Sequence, residues 1–350
     1  MKQILSAGGA RRKKWRRASR WGIALLVAGV ACWLSIRGIQ WAAVQQILAS
    51  SSMALLLVAL STVLATTLAK VARWHVLLRS TALEVGRMRL LRVLLIGQLA
   101  NSFLPARLGD ALRAVILGPN ATGGALAVLG TIVVEKALDA SMGLALLLVL
   151  ASAAPLPAVL RGPMLVLAAV TGSGLAIMVL AAQRREPARN LFEWATQWMP
   201  KPARNRLQEW LAALAQGLSL LRSPADALQA LLWSAAVWVL AVLTNYAILA
   251  ALDIAAPSWS AWLVLVTVYV ANFLPAIPAQ VGIFEYACVL ALTAAGVEPE
   301  PALAFGLVLH IVVYAPPAVL GTASVAIEGI EWDSLRKGYG HQLGDEQIDS

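Results

Sequence analysis

The sequence predicts an all-α polytopic membrane protein with about six full spans and two re-entrant or broken helical hairpins, its halves related by an inverted repeat. Three observations predict it. The chain is 60% hydrophobic and only 13% charged, with a mean hydropathy of +0.75, more apolar surface than a soluble fold can hide. Several apolar stretches approach the roughly 20 residues that cross a bilayer. Basic residues come in clusters, separated by segments almost free of positive charge, the pattern of loops that alternate between cytoplasm and exterior.

Taken in order, residues 1–20 carry the run Arg11, Arg12, Lys13, Lys14, Arg16, Arg17 and Arg20 just before the first apolar stretch. Placed there, the run holds the N-terminus in the cytoplasm and binds anionic headgroups. It lacks the interleaved aromatics of a nucleic-acid surface, so the formal net charge of +10 implies no nucleic-acid partner. No small-residue cleavage site follows Ile36, and Trp21 to Ile36 is read as an uncleaved anchor span. Met53 to Val71 returns to the cytoplasm, marked by Lys70, Arg73, Arg79, Arg87, Arg89 and Arg92.

Thr131 to Ala154 and Pro163 to Ala182 are the next two spans, followed by Arg184, Arg185, Arg189, Lys201, Arg204 and Arg206. Counting back, the stretch from Val93 to Gly130 must begin and end on one side. At about 38 residues it is too short for two spans and a turn, and Asn101, Pro105 and Gly109 interrupt it, so a re-entrant hairpin is predicted. Irregular backbone at that depth needs protein or a wet cavity to satisfy it, which implies an internal site. The second half repeats the order: Ala227 to Leu252, a broken stretch from Trp259 to Gly296 with Pro275, Pro278 and Gly282, then Ala302 to Ile327.

The expected organisation is a single transmembrane domain over 21–327, with halves at 53–154 and 227–327. An amphipathic cytoplasmic loop covers 183–225, and an acidic cytoplasmic tail covers 328–350. A bacterial inner membrane with both termini cytoplasmic is expected. Pro105-Ala-Arg107-Leu-Gly109 matches Pro278-Ala-Gln280-Val-Gly282, and Asn101-Ser-Phe-Leu-Pro105-Ala resembles Asn272-Phe-Leu-Pro275-Ala in a register shifted by a few residues. Paired interruptions in oppositely oriented halves point to a transporter's substrate site.

Ionisable side chains inside hydrocarbon are costly enough to need a reason. Arg107, Asp110 and Arg113 lie in the first hairpin, with Asp110 and Arg113 on one helical face; they read as a guanidinium pair for phosphate or as a hairpin end exposed to water. Glu135, Lys136 and Asp139 open the third span, and Glu135 and Asp139 share a face toward a basic partner such as Arg107 or Arg113, in a structural network or in contact with substrate. Glu285, alone in an apolar stretch, requires a raised pKa or a basic partner and is a candidate proton or substrate site. His310, with Tyr314, reads as a satisfied core histidine. Asn101 and Asn272 cap half-helices or line a cavity.

The functions excluded are as informative. Cys32 and Cys288 have neither CxxC nor metal-ligand spacing, no Walker-type phosphate loop occurs, and no nucleophile and base stand together. No catalytic residue, metal or cofactor is expected.

The motifs Asn101-Ser-Phe-Leu-Pro-Ala-Arg-Leu-Gly-Asp-Ala-Leu-Arg113, Glu135-Lys-Ala-Leu-Asp139 and Pro278-Ala-Gln-Val-Gly-Ile-Phe-Glu285, in that order, resemble the lysylphosphatidylglycerol synthase transmembrane-region family. The resemblance spans roughly Trp21 to Ala326. It implies a flippase-like protein that moves a lipid, or a lipid-linked headgroup, between leaflets. Asp110 stands where the family often has Glu, and Lys136 where it often has Arg. No soluble aminoacyl-transferase domain is expected in this chain, so lysyl transfer is not implied.

The leading expectation is a transporter whose hairpins form a polar groove for an anionic phospholipid or lipid-linked substrate, passive or ion-coupled. Asn101, Arg107, Asp110, Arg113, Glu135, Lys136, Asp139, Asn272 and Glu285 would line it, and Asp110, Glu135, Asp139 and Glu285 are the candidate proton carriers. The alternative is a non-catalytic membrane partner of a lipid-modifying or glycosyl-transferring enzyme.

Overall fold

The longest apolar runs fold as single helices, Pro299–Glu328 even across Pro316 and Pro317, while the runs interrupted around Gly109 and Gly282 fold as pairs of short ones. The computed structural model describes residues 29–81, 83–104, 108–121, 124–153, 223–272 and 278–329, with scattered positions between 162 and 208. The basic N-terminal run, Arg107 and the tail beyond Gly329 lie outside the described residues, as do much of Trp21 to Ile36, of Pro163 to Ala182 and of the loop 183–225.

After helical residues 29–36, the elements are α1 (Trp41–Ala49), α2 (Met53–Leu78), α3 (Arg87–Phe103), α4 (Leu108–Leu117), α5 (Gly124–Ala153), α6 (Pro224–Ala251), α7 (Ser260–Ala271), α8 (Ile283–Ala294) and α9 (Pro299–Glu328). No strand occurs among the described residues, and the protein is an all-α, multi-pass membrane protein. Three helices, Met53–Thr81, Pro224–Ala251 and Pro299–Glu328, are each long and apolar enough to cross a bilayer. α5 is also 30 residues long, about 45 Å of helix, but carries its charges, Glu135, Lys136 and Asp139, near its middle.

Local chemistry sets the ends. The Ser223 hydroxyl accepts from the Asp226 N–H, with Pro224 at the first helical position and Asp226 in the first turn, a favourable start for α6. Gly329, in the left-handed region at φ 60°, ends α9. Hydroxyls inside the spans return to their own helix: Thr66 donates to the Thr62 carbonyl and Thr67 to the Val63 carbonyl.

α2 and α6 run antiparallel along their full lengths. Asp226 meets Arg79 at one end, Ser234 meets Arg73, Thr244 meets Thr62 at 2.8 Å, and the Ala251 carbonyl accepts from the Ser52 N–H at the other end. α3 enters from the Arg79 end, where Arg89 and Arg92 pair with Glu328 at the close of α9. α4 folds back against it, and α5 then crosses toward the Ser52 end. α7 and α8 form the second hairpin and enter from the Ser52 end, since α7 starts beside the C-terminal part of α6 through Asn245 and the Ala261 carbonyl. The two hairpins therefore enter from opposite ends. At about 25 Å for α3 and 18 Å each for α7 and α8, none of these helices spans a hydrocarbon core of about 30 Å alone. The turn Pro278–Gln280, at the tip of the second hairpin, packs on α3 of the first.

Two core clusters form, and each draws on both halves, with Ala59, Leu146, Leu147 and Leu150 in the one built mainly from the second half and Ala230 in the other. Val71, Trp74, Leu77, Leu90, Leu94, Leu117, Val128 and Ile132 knit α2 to α5, while Ile248, Leu263, Phe284, Leu292 and Phe305 knit α6 to α9.

The reading of Arg73 as part of a loop-side basic cluster is corrected. α2 runs on past Val71 to Leu78, because Val71, Trp74, Val76, Leu77 and Leu78 continue the apolar pattern, and Arg73 is fully buried within the bundle.

Candidate functional site

The deepest polar assembly is built where α2, α3, α4, α5 and α6 converge. Arg73 lies at its centre, 0% exposed, and grips Asp139 with both terminal nitrogens at 2.6 and 3.3 Å. It also reaches Glu135 at 3.4 Å and donates to the Ser234 hydroxyl at 3.2 Å. Arg113 holds Glu135 from the other side at 2.8 and 3.4 Å, with Asp110 one helical turn away at 3.6 Å. Its guanidinium stacks over the Trp74 ring at 3.9 Å, and the Trp74 indole donates to the Thr131 hydroxyl.

Lys136 closes the network toward the outside. Its ammonium is 3.3 Å from Asp110 and 4.0 Å from Glu135, and its side chain is 39% exposed. The Asn101 amide donates to Asp110 at 3.2 Å. Three cations and three carboxylates are thus linked, so burial need not strand a lone charge.

Backbone proximity makes the assembly possible. A Cβ on Gly109 would lie 2.0 Å from the Gly97 carbonyl oxygen and 2.7 Å from the Asn101 side-chain oxygen, and one on Gly97 would lie 2.5 Å from the Arg113 stem. Only glycine at both positions lets α3 and α4 touch main chain to main chain, with Arg113 crossing the gap toward Glu135.

Glu285 sits apart from this network. It is the third residue of α8, and one oxygen reaches back to accept from the N–H of Gly282, the residue before the helix, at 2.7 Å, the half of a capping box that glycine allows; Gly282 holds φ 83°. Its other oxygen is 2.5 Å from His310 Nδ1 on α9. The histidine ring lies against Phe284 and Tyr314. Ala279 and Gln280, just before, also hold positive φ, so the tip carries backbone strain.

Set against the sequence, the structure brings Asn101, Asp110, Arg113, Glu135, Lys136 and Asp139 together, and it adds Arg73 and Ser234, which the sequence reading did not select. Arg107 lies outside the described residues. The basic partner that Glu285 required is His310. Asn272 caps the C-terminus of α7 and donates to the Val268 carbonyl. Among the described residues no hydrogen bond or ion pair joins the Glu285 group to the Arg73 network. The predicted guanidinium fork for phosphate also differs, because both terminal nitrogens of Arg113 are already held by Glu135.

The two groups share one design. A carboxylate in the first turn of a returning helix, Asp110 in α4 and Glu285 in α8, is tied to a base on the long helix that follows, Lys136 in α5 and His310 in α9.

Glu285→Ala is expected to lower stability by about 1–3 kcal/mol, since it strands the Gly282 N–H and His310 together. Thermal unfolding in detergent measures this. A shift in Tm no larger than that of a lipid-facing control such as Leu57→Ala would contradict the capping role.

The chain matches the model of one known family, the lysylphosphatidylglycerol synthase TM region, over residues 21–321. No curated protein and no solved structure matches it.

Proposed function

Because the chain belongs to the lysylphosphatidylglycerol synthase TM region family, we propose that it is a flippase-like transporter that carries the headgroup of an anionic phospholipid, or of a lipid-linked substrate, between leaflets. The observation that carries this reading is the pair of short hairpins entering from opposite ends, one tip seated on the other hairpin, each with a charged group at the start of its returning helix. In a bilayer such half-helices place their positive N-terminal ends within the hydrocarbon depth, where an anion is favoured. The halves act as an inverted repeat that exposes the same polar groove to either side in turn.

The headgroup enters at the open edge of the network, beside Lys136 and Asn101, while its acyl or prenyl chains stay in lipid. Its phosphate competes with Glu135 and Asp110 for Arg113 and Lys136, so one set of ion pairs is exchanged for another. Exchange of this kind keeps the desolvation cost low, since the cations gain the phosphate while Glu135 keeps Arg73 and Asp110 keeps the Asn101 amide. Placement in a bacterial inner membrane is part of the same proposal.

Reconstitution tests it. Vesicles holding the protein are expected to move a fluorescent anionic phospholipid between leaflets faster than empty vesicles, and Lys136→Gln to slow this by about tenfold, as loss of one ion pair in a poorly hydrated place implies. Unchanged rates in both Lys136→Gln and Glu285→Gln proteins would refute the groove. Failure of the unsubstituted protein to move lipid, with an enzyme of lipid or glycosyl transfer co-purifying, would favour the partner reading instead.

A further inference from the structure

The second hairpin repeats the places of the first group but not its permanent cations. Asp110 and Glu285 are each the third residue of a returning helix, and Arg113 and Cys288 each the sixth. The long helices that follow are both 30 residues, with Glu135 and His310 twelfth and Asp139 and Tyr314 sixteenth. Among the described residues Glu285 has no arginine or lysine within ion-pair distance, only His310.

This difference decides which group can carry a proton. Asp139 is held by Arg73, Glu135 by Arg113 and Arg73, and Asp110 by Lys136 and Arg113. None of these carboxylates takes a proton without leaving a cation bare, and a guanidinium does not release its own. The partner of Glu285 is an imidazole, the side chain that ordinarily gains and loses a proton near neutral pH. The Gly282 N–H and His310 Nδ1 each face one oxygen of Glu285, so Nδ1–H is the donor and Nε2 is where a proton is taken up. Uptake changes the pair from one negative charge to none.

Little else bears on the pair. The titratable side chains beside it are Tyr314, whose ring meets that of His310, and Cys288, buried one turn along α8. Tyr286 packs toward Ala31 and Ala271, and Tyr269 of α7 lies against Trp238. α1 has no titratable residue, α2 and α6 place Arg73, Arg79 and Asp226 elsewhere, and Arg89 and Arg92 of α3 meet Glu328 at the far end of α9.

α9 links this pair to the first hairpin. Its first half is fixed to α8, where a Cβ on Gly306 would lie 3.2 Å from the Cys288 Cβ. Its last part is fixed to α3, where one on Gly321 would lie 2.8 Å from the Leu95 carbonyl oxygen and Glu328 holds Arg92. Between them Pro316 and Pro317 leave the Val312 and Val313 carbonyls without their helical donors, so the helix bends most easily there. A change at the Glu285–His310 joint thus moves one hairpin against the other.

Resting on the transport reading above, we infer that the protein is a proton symporter: His310, oriented by Glu285, takes up one proton with each anionic headgroup and releases it on the other side, while the Arg73 network binds the anion and keeps its protons. The proton and the headgroup's negative charge offset each other in a poorly solvated interior, so each favours the binding of the other.

Vesicles holding the full chain and a trace of fluorescent phosphatidylglycerol test this under a pH gradient of about one unit. One proton per lipid sustains up to about tenfold enrichment of the lipid in the leaflet on the alkaline side. His310→Gln protein is expected to give no enrichment. The ratio is an equilibrium quantity, so Lys136→Gln, which slows exchange, should reach it late but in full. In detergent, isotope-labelled histidine reports the rings of His75, His310 and His341, and the signals missing from His310→Gln protein belong to His310. Nε2 of His310 is expected to gain a proton as pH falls while Nδ1 keeps its own.

Any of four results would overturn the inference: lipid exchange by the unsubstituted chain without enrichment, enrichment by His310→Gln protein, loss of enrichment in Lys136→Gln protein that still exchanges lipid, or an Nε2 whose protonation does not change with pH. A chain that moves no lipid would remove the transport reading. Proton uptake at Nε2 strengthened by short-chain phosphatidylglycerol would then leave the proton site standing, and uptake indifferent to that lipid would remove it as well.

Discussion

Arg73→Ala is expected to cost about 3–5 kcal/mol of stability, the loss that follows when one partner of a buried ion pair is removed and the other is left uncompensated. Arg73 is the side chain on which Asp139, Glu135 and Ser234 converge, and it has no exposure to share the burden with water. Without it Asp139 loses both of its short contacts, and Glu135 is left to Arg113 and Lys136. The double variant Arg73→Ala/Asp139→Ala should recover part of the loss, because the stranded carboxylate goes with its partner. Arg79→Ala is the control, since the Arg79 side chain is 48% exposed and its pair with Asp226 should contribute about 0–1 kcal/mol. Thermal unfolding in detergent compares them, and equal shifts for Arg73→Ala and Arg79→Ala would contradict the central role given to Arg73.

Gly109→Ala is the second large effect, and its cause is space. The added Cβ would fall 2.0 Å from the Gly97 carbonyl oxygen, a backbone atom that cannot swing aside. α3 and α4 must separate, at a cost of about 1–3 kcal/mol. Separation carries Asp110 and Arg113 away from Lys136 and Glu135, so lipid translocation should fall further than the change in Tm alone would suggest. Gly86→Ala, where a Cβ would meet nothing within 4 Å, provides the control. Transport unchanged in Gly109→Ala would separate hairpin packing from function.

Much of this architecture was legible because hydropathy and the bilayer's thickness act on the sequence alone. The 38-residue stretches could not hold two spans, and the structure resolves them as α3 with α4 and α7 with α8. The i,i+3 placement of Asp110 and Arg113 foretold their pairing. Arg73 was not legible in the same way, because a basic residue near a span's end obeys the positive-inside rule whether it lies in headgroups or inside the protein. The signal that separates the two is the apolar pattern of Trp74, Leu77 and Leu78 after it, with no glycine or proline before Gly86 to end the helix. The partnership of Glu285 with His310 was hidden for another reason: it spans two helices, and only the antiparallel packing of α8 on α9 brings those positions level. Likewise, the close approach of Gly97 to Gly109 is a property of the fold, since each glycine by itself reads as a helix breaker.

Three positive and three negative side chains linked in one body leave a transmembrane voltage almost nothing to pull on. Moving a single elementary charge through the full field involves about 2.3 kcal/mol per 100 mV, but opposite charges that travel together cancel that work. Any rocking that carries Arg73, Arg113, Lys136 and their carboxylates as a unit is therefore electrically silent, and an electrogenic signal would report whatever charged cargo travels with them.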